Sequence, residues 1–153
     1  MIAWTYLDKK GAAIEALKDY SAMEFIINNT EDAENELRER MTSVRSSALT
    51  GLPHNPNPKA GEARLAAQID EIDVLKERYR SAAEYMAWFR PAWDELTEDE
   101  QFILNEFFLQ EEGSKTDAVL NIGERLYLER AQVYRRKDKA LNHLTVLLYG
   151  KSK

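Results

Sequence analysis

Half of the prolines and glycines of this chain, the residues that interrupt helices, fall in one short stretch. There are four prolines and six glycines in 153 residues. Three of those prolines and two of the glycines fall in residues 51–61, GLPHNPNPKAG. A helix does not continue through such a run, because proline lacks the backbone donor and its ring clashes with the turn before it. Elsewhere the breakers are too sparse for the many turns of an all-β fold. The expected fold is all-α, with residues 51–61 as a hinge between two antiparallel helices or as a disordered tip.

Residues 1–50 read as helical. Asp8 is a candidate cap, and Ile14, Leu17, Phe25 and Ile26 are among the apolar positions. Asn28-Asn29-Thr30 is a candidate break, since Thr30 followed by Glu31 and Asp32 has the order of a fresh helix start. The pattern does not decide between one kinked helix and two. Leu37, Met41, Val44 and Ala48 then form one narrow stripe. Residues 62–90 carry a second stripe of Leu65, Ile69, Ile72, Leu75, Tyr79, Ala82, Ala83 and Met86. About 29 residues at roughly 1.5 Å each span on the order of 40 Å. So narrow a stripe on so long a helix is best buried against another helix, as in a coiled coil. The partner is either residues 30–50 of the same chain or a second copy.

Pro91 is expected to bend or end that helix. Around it stand Trp88, Phe89 and Trp93, too much aromatic area to leave in water. They read as glue between the long helix and the C-terminal part rather than as a base-stacking platform, because no basic residues beyond Arg90 interleave with them. Thr97 and Glu100 have capping-box spacing, which explains the acidic run Glu98-Asp99-Glu100 without a metal or catalytic site. Phe102, Ile103, Leu104, Phe107 and Phe108 give the following helix a broad apolar face. Gly113-Ser114-Lys115-Thr116 reads as a loop, with Asp117 capping the next helix.

The net charge of −6 argues against a binder of nucleic acid by bulk charge, but the charge is segregated. From Arg125 to Lys153 there are eight basic and two acidic residues, a net of +6. From Thr97 to Glu124 there are one basic and eight acidic residues, a net of −7. A basic end beside an acidic lobe steers one face toward polyanions.

The basic end coincides with the segment from Asp117 to Tyr149, which reads as two helices joined by a tight turn at Tyr127-Leu128. Ala118, Ile122 and Leu126 line one face of the first helix, Leu128 plugs the angle, and Val133, Ala140 and Leu144 hold the second helix against them. Left outward at the start of the second helix are Arg130, Gln132, Tyr134, Arg135 and Arg136. Arginine forms two parallel bonds with guanine, and glutamine does so with adenine. Arg125, Lys137 and Lys139 are candidates for phosphate contacts, which position the protein without specifying sequence. Leu141, Leu147 and Leu148 are candidates for partner binding.

The run IGERLYLERAQVYRRKDKALNHL resembles the helix-turn-helix of region 4 of bacterial sigma factors, with Ile122, Leu126, Leu128, Val133 and Leu144 at that family's hydrophobic positions. Leu96 to Gln101 and the FILNEFF run resemble the helix that precedes it. The closer resemblance is to phage transcriptional activators of the ArpU and RinA type, carried by Gln132-Val133-Tyr134-Arg135-Arg136-Lys137-Asp138-Lys139-Ala140-Leu141. It covers most of the chain, but only about the last 55 residues carry specific motifs. The resemblance implies sequence-specific binding of double-stranded DNA in transcription of late or packaging genes, with RNA polymerase as a second candidate partner. Two positions depart from the sigma pattern. The turn residue often taken by glycine is Tyr127, and the small cap of the recognition helix is Glu129.

Enzyme motifs are lacking. His54 and His143 have no metal-ligand spacing, and there is neither a glycine-rich phosphate loop nor a nucleophile motif. No cofactor is expected. The absence of cysteine removes disulfides and thiolate metal sites and fits a reducing cytoplasm. No apolar run approaches the roughly 20 residues of a membrane span, and the N-terminus lacks the order of a signal peptide. The sequence therefore predicts a cytoplasmic regulator. Residues 1–90 form an elongated helical hairpin, a candidate homodimerisation element, and residues 91–153 form a DNA-binding domain whose recognition helix is about 129–149. The alternatives are an adaptor that grips RNA polymerase and a DNA-packaging recognition subunit.

Overall fold

The computed structural model describes residues 8–49, 58–110 and 113–151. Among them are five helices and no strand: α1 (Lys9–Leu49), α2 (Pro58–Glu95), α3 (Glu98–Leu104), α4 (Lys115–Leu126) and α5 (Arg130–Tyr149). A single π-helical turn, Asn105–Leu109, continues α3. The fold is all-α, and no helix among the described residues is long and apolar enough to cross a membrane.

α1 is one helix of 41 residues. Asp8 caps it, its Oδ1 accepting the Gly11 N–H at 3.0 Å. The break expected at Asn28-Asn29-Thr30 does not occur. Asn29 Nδ2 donates to the Phe25 carbonyl at 2.8 Å, and the Thr30 hydroxyl donates to the Ile26 carbonyl. Both polar side chains bond one turn back along the helix instead of competing with it.

α2 starts earlier and ends later than expected. The residues from Pro58 to Gly61, read from sequence as loop, are its first turn. Proline at the first helical position loses no bond, because that N–H has no partner inside the helix. α2 also runs through Pro91 to Glu95. So near the C-terminal end, one missing donor does not stop the helix. Residues 51–57 of the expected loop lie outside the described residues, as do the side chains of Val44 and Ala48.

The chain divides into two compact units, and the boundary cuts through α1 and α2 rather than falling near residue 90. One unit comprises the described residues from Ala22 to Glu84. In it Leu37 is buried and lines a groove with Ala67, Val74 and Leu75. Ile69 and Tyr79, assigned to the stripe by periodicity, are 46% and 44% exposed. Two helices give each other one wall only, so the outer positions of a stripe stay wet.

The other unit joins the described residues up to Ser21 with those from Tyr85 onward. Its larger core holds Ala16 and Leu17 of α1, Phe89 and Ala92 of α2, then Leu96, Leu104 and three residues of α5, Ala140, Leu141 and Leu144. Aromatic rings close it. Phe89 is fully buried with Tyr20, Tyr85 and Trp93 at centroid distances of 5.4, 5.2 and 6.0 Å. Trp88 meets Tyr149 of α5 at 5.6 Å. Phe89 and Trp93 are therefore packing within one chain, whereas Trp88, against Tyr149, remains 41% exposed. The Tyr85 hydroxyl donates to the Ala16 carbonyl, and burial, with Asp19, Tyr20 and Tyr149 nearby, pushes its pKa well above the usual phenol value. A second core, Ile103, Val119, Ile122 and Val133, unites α3, α4 and α5. The π turn feeds both cores with adjacent residues, Phe107 against the second and Phe108 against the first.

Replacing Phe89 with alanine removes the ring on which Tyr20, Tyr85, Trp88 and Trp93 converge, and the expected loss is about 3–5 kcal/mol of unfolding free energy. Chemical denaturation measures it. A loss below about 1 kcal/mol, the size of an average substitution, would contradict this account of the larger core.

Candidate functional site

α4 and α5 are joined by Tyr127, Leu128 and Glu129 alone. α4 opens with a capping box in which Ser114, not Asp117, is the cap. Asp117 accepts the Ser114 N–H at 3.0 Å, and its own N–H donates to the Ser114 hydroxyl oxygen at 3.3 Å. The Ser114 bonds hold the exposed Asp117 carboxyl below its ordinary range. Lys115 and Thr116, expected in a loop, belong to the helix.

α4 ends in a left-handed cap. Tyr127 takes φ 56 and ψ 46, the conformation that glycine usually provides. The Gly123 carbonyl accepts both the Tyr127 and the Leu128 N–H, the latter at 3.1 Å. A Cβ on Gly123 would stand 3.0 Å from the Leu128 carbonyl oxygen. Gly123 therefore makes the close approach while Tyr127 makes the left-handed step. Sequence reasoning looked for glycine only at the turn itself and missed the one a turn earlier.

Leu128 packs on the second core, and Glu129 caps α5. Gln132 Oε1 accepts the Glu129 N–H at 3.0 Å. One acceptor site of a candidate base-reading amide thus orders the start of the helix.

α5 presents two faces. Val133, Ala140, Leu141 and Leu144 are at most 1% exposed. Leu141, a candidate partner contact from sequence, is core. Gln132, Arg135, Arg136 and Lys139 are exposed, and their spacing of three, one and three places them on the opposite face. Among the described residues, Arg130, Arg135, Arg136 and Lys139 have no ion-pair partner.

The other candidates stand apart from that face. Tyr134, expected outward, is partly buried, its ring 6.0 Å from Phe107. Lys137 is largely covered, with its ammonium 5.1 Å from the Phe107 ring centre and 3.9 Å from Asp138 Oδ1. Arg125 lays its guanidinium 4.2 Å over the Phe102 ring, a cation–π contact that fixes it on α3. Arg130 is exposed but lines a separate hollow with Leu120, Gly123 and Glu124 of α4. The eight candidates thus resolve into one face of four, with Tyr134, Lys137, Arg125 and Arg130 outside it.

The start of α3 borders that face. Thr97 and Glu100 form the expected capping box. Glu100 Oε2 also meets His143 Nδ1 of α5 at 2.8 Å. Partial burial raises the Glu100 pKa, but hydrogen bonds with His143 and Thr97 outweigh it and hold the carboxyl below its ordinary value. Glu100 is a strut between α3 and α5. Arg136 and Lys139 share an open cleft with Asp99, Glu100 and His143. Comparison with protein families, curated proteins and solved structures returns no match to this chain.

Two outcomes follow from this geometry. Replacing Tyr127 with glycine relieves a left-handed non-glycine residue and is expected to raise stability by about 0.5–1 kcal/mol, read by denaturant titration. An unchanged midpoint would mean the turn is unstrained. Replacing Glu100 with glutamine keeps the cap but removes the charge. Because the folded pKa lies below the unfolded one, the carboxylate stabilises at neutral pH, and its contribution disappears as pH falls below 4.5. The variant is expected to be about 0.5–1 kcal/mol less stable at pH 7. The gap should close in acid, and a pH-independent gap would contradict the linkage.

Proposed function

We propose that this protein is a sequence-specific regulator of transcription that binds double-stranded DNA, as its resemblance to the ArpU and RinA type of phage activator implies, with a sigma-region-4-like helix-turn-helix at its C-terminal end. α4 braces the assembly, and the first half of α5 enters the major groove. Arg135 and Arg136 read guanine edges, Gln132 supplies its free amide donors, and Lys139 meets phosphate. The observation that carries this reading is the unpaired outward face of α5. Three cations stand exposed at Arg135, Arg136 and Lys139 with no ion pair among the described residues, on a helix whose other side is buried in two cores.

Exposed apolar groups beside the turn favour a second reading. Tyr127 is 93% and Leu120 58% exposed, which suits an adaptor that grips RNA polymerase. On that reading polymerase is retained when Arg135 and Arg136 are replaced, and no duplex is shifted by the wild type.

The test is selection of bound genomic fragments followed by fluorescence anisotropy. Affinity should fall steeply as salt rises, because binding releases counterions. The double substitution Arg135→Ala and Arg136→Ala should weaken binding at least about tenfold, since each guanine contact contributes on the order of 1–3 kcal/mol. Its circular dichroism melt should match the wild type. Unchanged affinity in that variant refutes the assignment of the reading face.

A further inference from the structure

The first turn of α1 packs beside α5, and no local pattern in the sequence links the two. Lys10 Nζ is 3.8 Å from Asp138 Oδ1, and Lys9 Nζ donates to the Lys151 carbonyl at 3.4 Å. Between them lies an open depression whose charged lining is Lys9, Lys10 and Lys151 against Asp8. We propose that this seam is a second nucleic-acid backbone site, in which Lys10 and Lys151 hold phosphates flanking the groove that α5 enters. The proposal rests on the DNA-binding reading of α5 and extends it to another element.

Charge and position both carry it. Asp138 is the only acid within α5, and bare it would repel a phosphate next to the reading face. It stands between two ammonium groups, Lys10 at 3.8 Å and Lys137 at 3.9 Å. With Asp8 included, two carboxylates face the ammonium groups of Lys9, Lys10, Lys137 and Lys151, which leaves the seam positive. Asp138 is three residues from Arg135 and adjacent to Lys139, so Lys10 stands level with the middle of the basic face, on its flank. The opposite flank is the acidic start of α3, with Asp99 and Glu100. A duplex therefore meets attraction on the α1 side and repulsion on the α3 side, which orients it.

A major groove is about 12 Å wide, so a helix within it has phosphate backbone on both sides. The Lys10 side chain is 48% exposed and Lys151 is exposed. Lysine is suited to such contacts as a mobile point charge. Lys9 is the tether, since its ammonium is spent on the end of α5.

The experiment uses the full chain, a random-sequence duplex and the genomic fragment bound most tightly, with affinity measured across a salt series. The variant Lys10→Ala with Lys151→Ala should lose about tenfold on both duplexes alike, and its slope of log affinity against log salt should fall by about two. The Arg135→Ala, Arg136→Ala variant should instead lose the preference between them. The conservative variant Lys10→Arg with Lys151→Arg should bind as the wild type does. A second arm places Lys10→Ala in an Asp138→Asn background. A persisting loss there supports a phosphate contact. A loss that vanishes means Lys10 only neutralises Asp138, and overturns the proposal. Wild-type binding with an unchanged slope in the lysine variant also overturns it, leaving the reading of α5 intact. A wild type that binds neither duplex removes that reading and this one together.

Discussion

α5 is held by two hydrophobic cores at once. Val133 near its start belongs to the core shared with α3 and α4, whereas Ala140, Leu141 and Leu144 belong to the core shared with α1 and α2. All four are at most 1% exposed. A helix fixed along its inner face at several successive turns cannot rotate without exposing apolar area, at about 25 cal/mol per Å². The direction of Arg135, Arg136 and Lys139 is therefore set by what lies behind them. Adjacent Phe107 and Phe108, parted by the π turn, serve one core each.

Placement of polar groups around that helix follows from the same constraint. Glu100 ties the start of α3 to His143, while Asp138 sits between Lys10 and Lys137. Glu100 and Asp138 are thus bonded on the two flanks of α5, and among the described residues Arg135, Arg136 and Lys139 between them have no ion pair. Aromatic rings do a related job for the cations that are not on that face. Arg125 is spread on Phe102, and Lys137 lies over Phe107. Those two side chains are structural fasteners as much as charges, which sequence alone does not distinguish from solvent-facing lysine and arginine.

Much of the fold was legible because its signals are local. The capping box at Thr97 and Glu100, the cap at Asp8, the apolar positions Ile122, Val133 and Leu144, and the turn at Tyr127-Leu128 all depend on neighbours within about one helical turn. The misreadings are also local, and each has a physical cause. Asn29 and Thr30 bond backward along α1, so a polar cluster did not break it. Pro58 fits a first helical position, so a proline-rich run ended earlier than its last residue. Ser114 took the cap that Asp117 was assigned, because Asp117 completes the box from the third position. Tyr134 and Leu141 were misplaced because a helical wheel gives the faces of α5 but not the width of what covers them.

The amino-acid sequence by itself determined that this chain is helical, that a tight turn at Tyr127-Leu128 parts its last two helices, and that its basic residues gather at one end. Periodicity, capping and charge order are properties of neighbours along the chain, and they survive without knowledge of the packing. The tertiary structure decided which of those basic residues share a face, that Arg130 turns toward α4 while Arg135 and Lys139 do not, and that Lys10 stands beside Asp138. Such proximity depends on how helices distant in sequence bury their apolar sides against one another, and that information is not local.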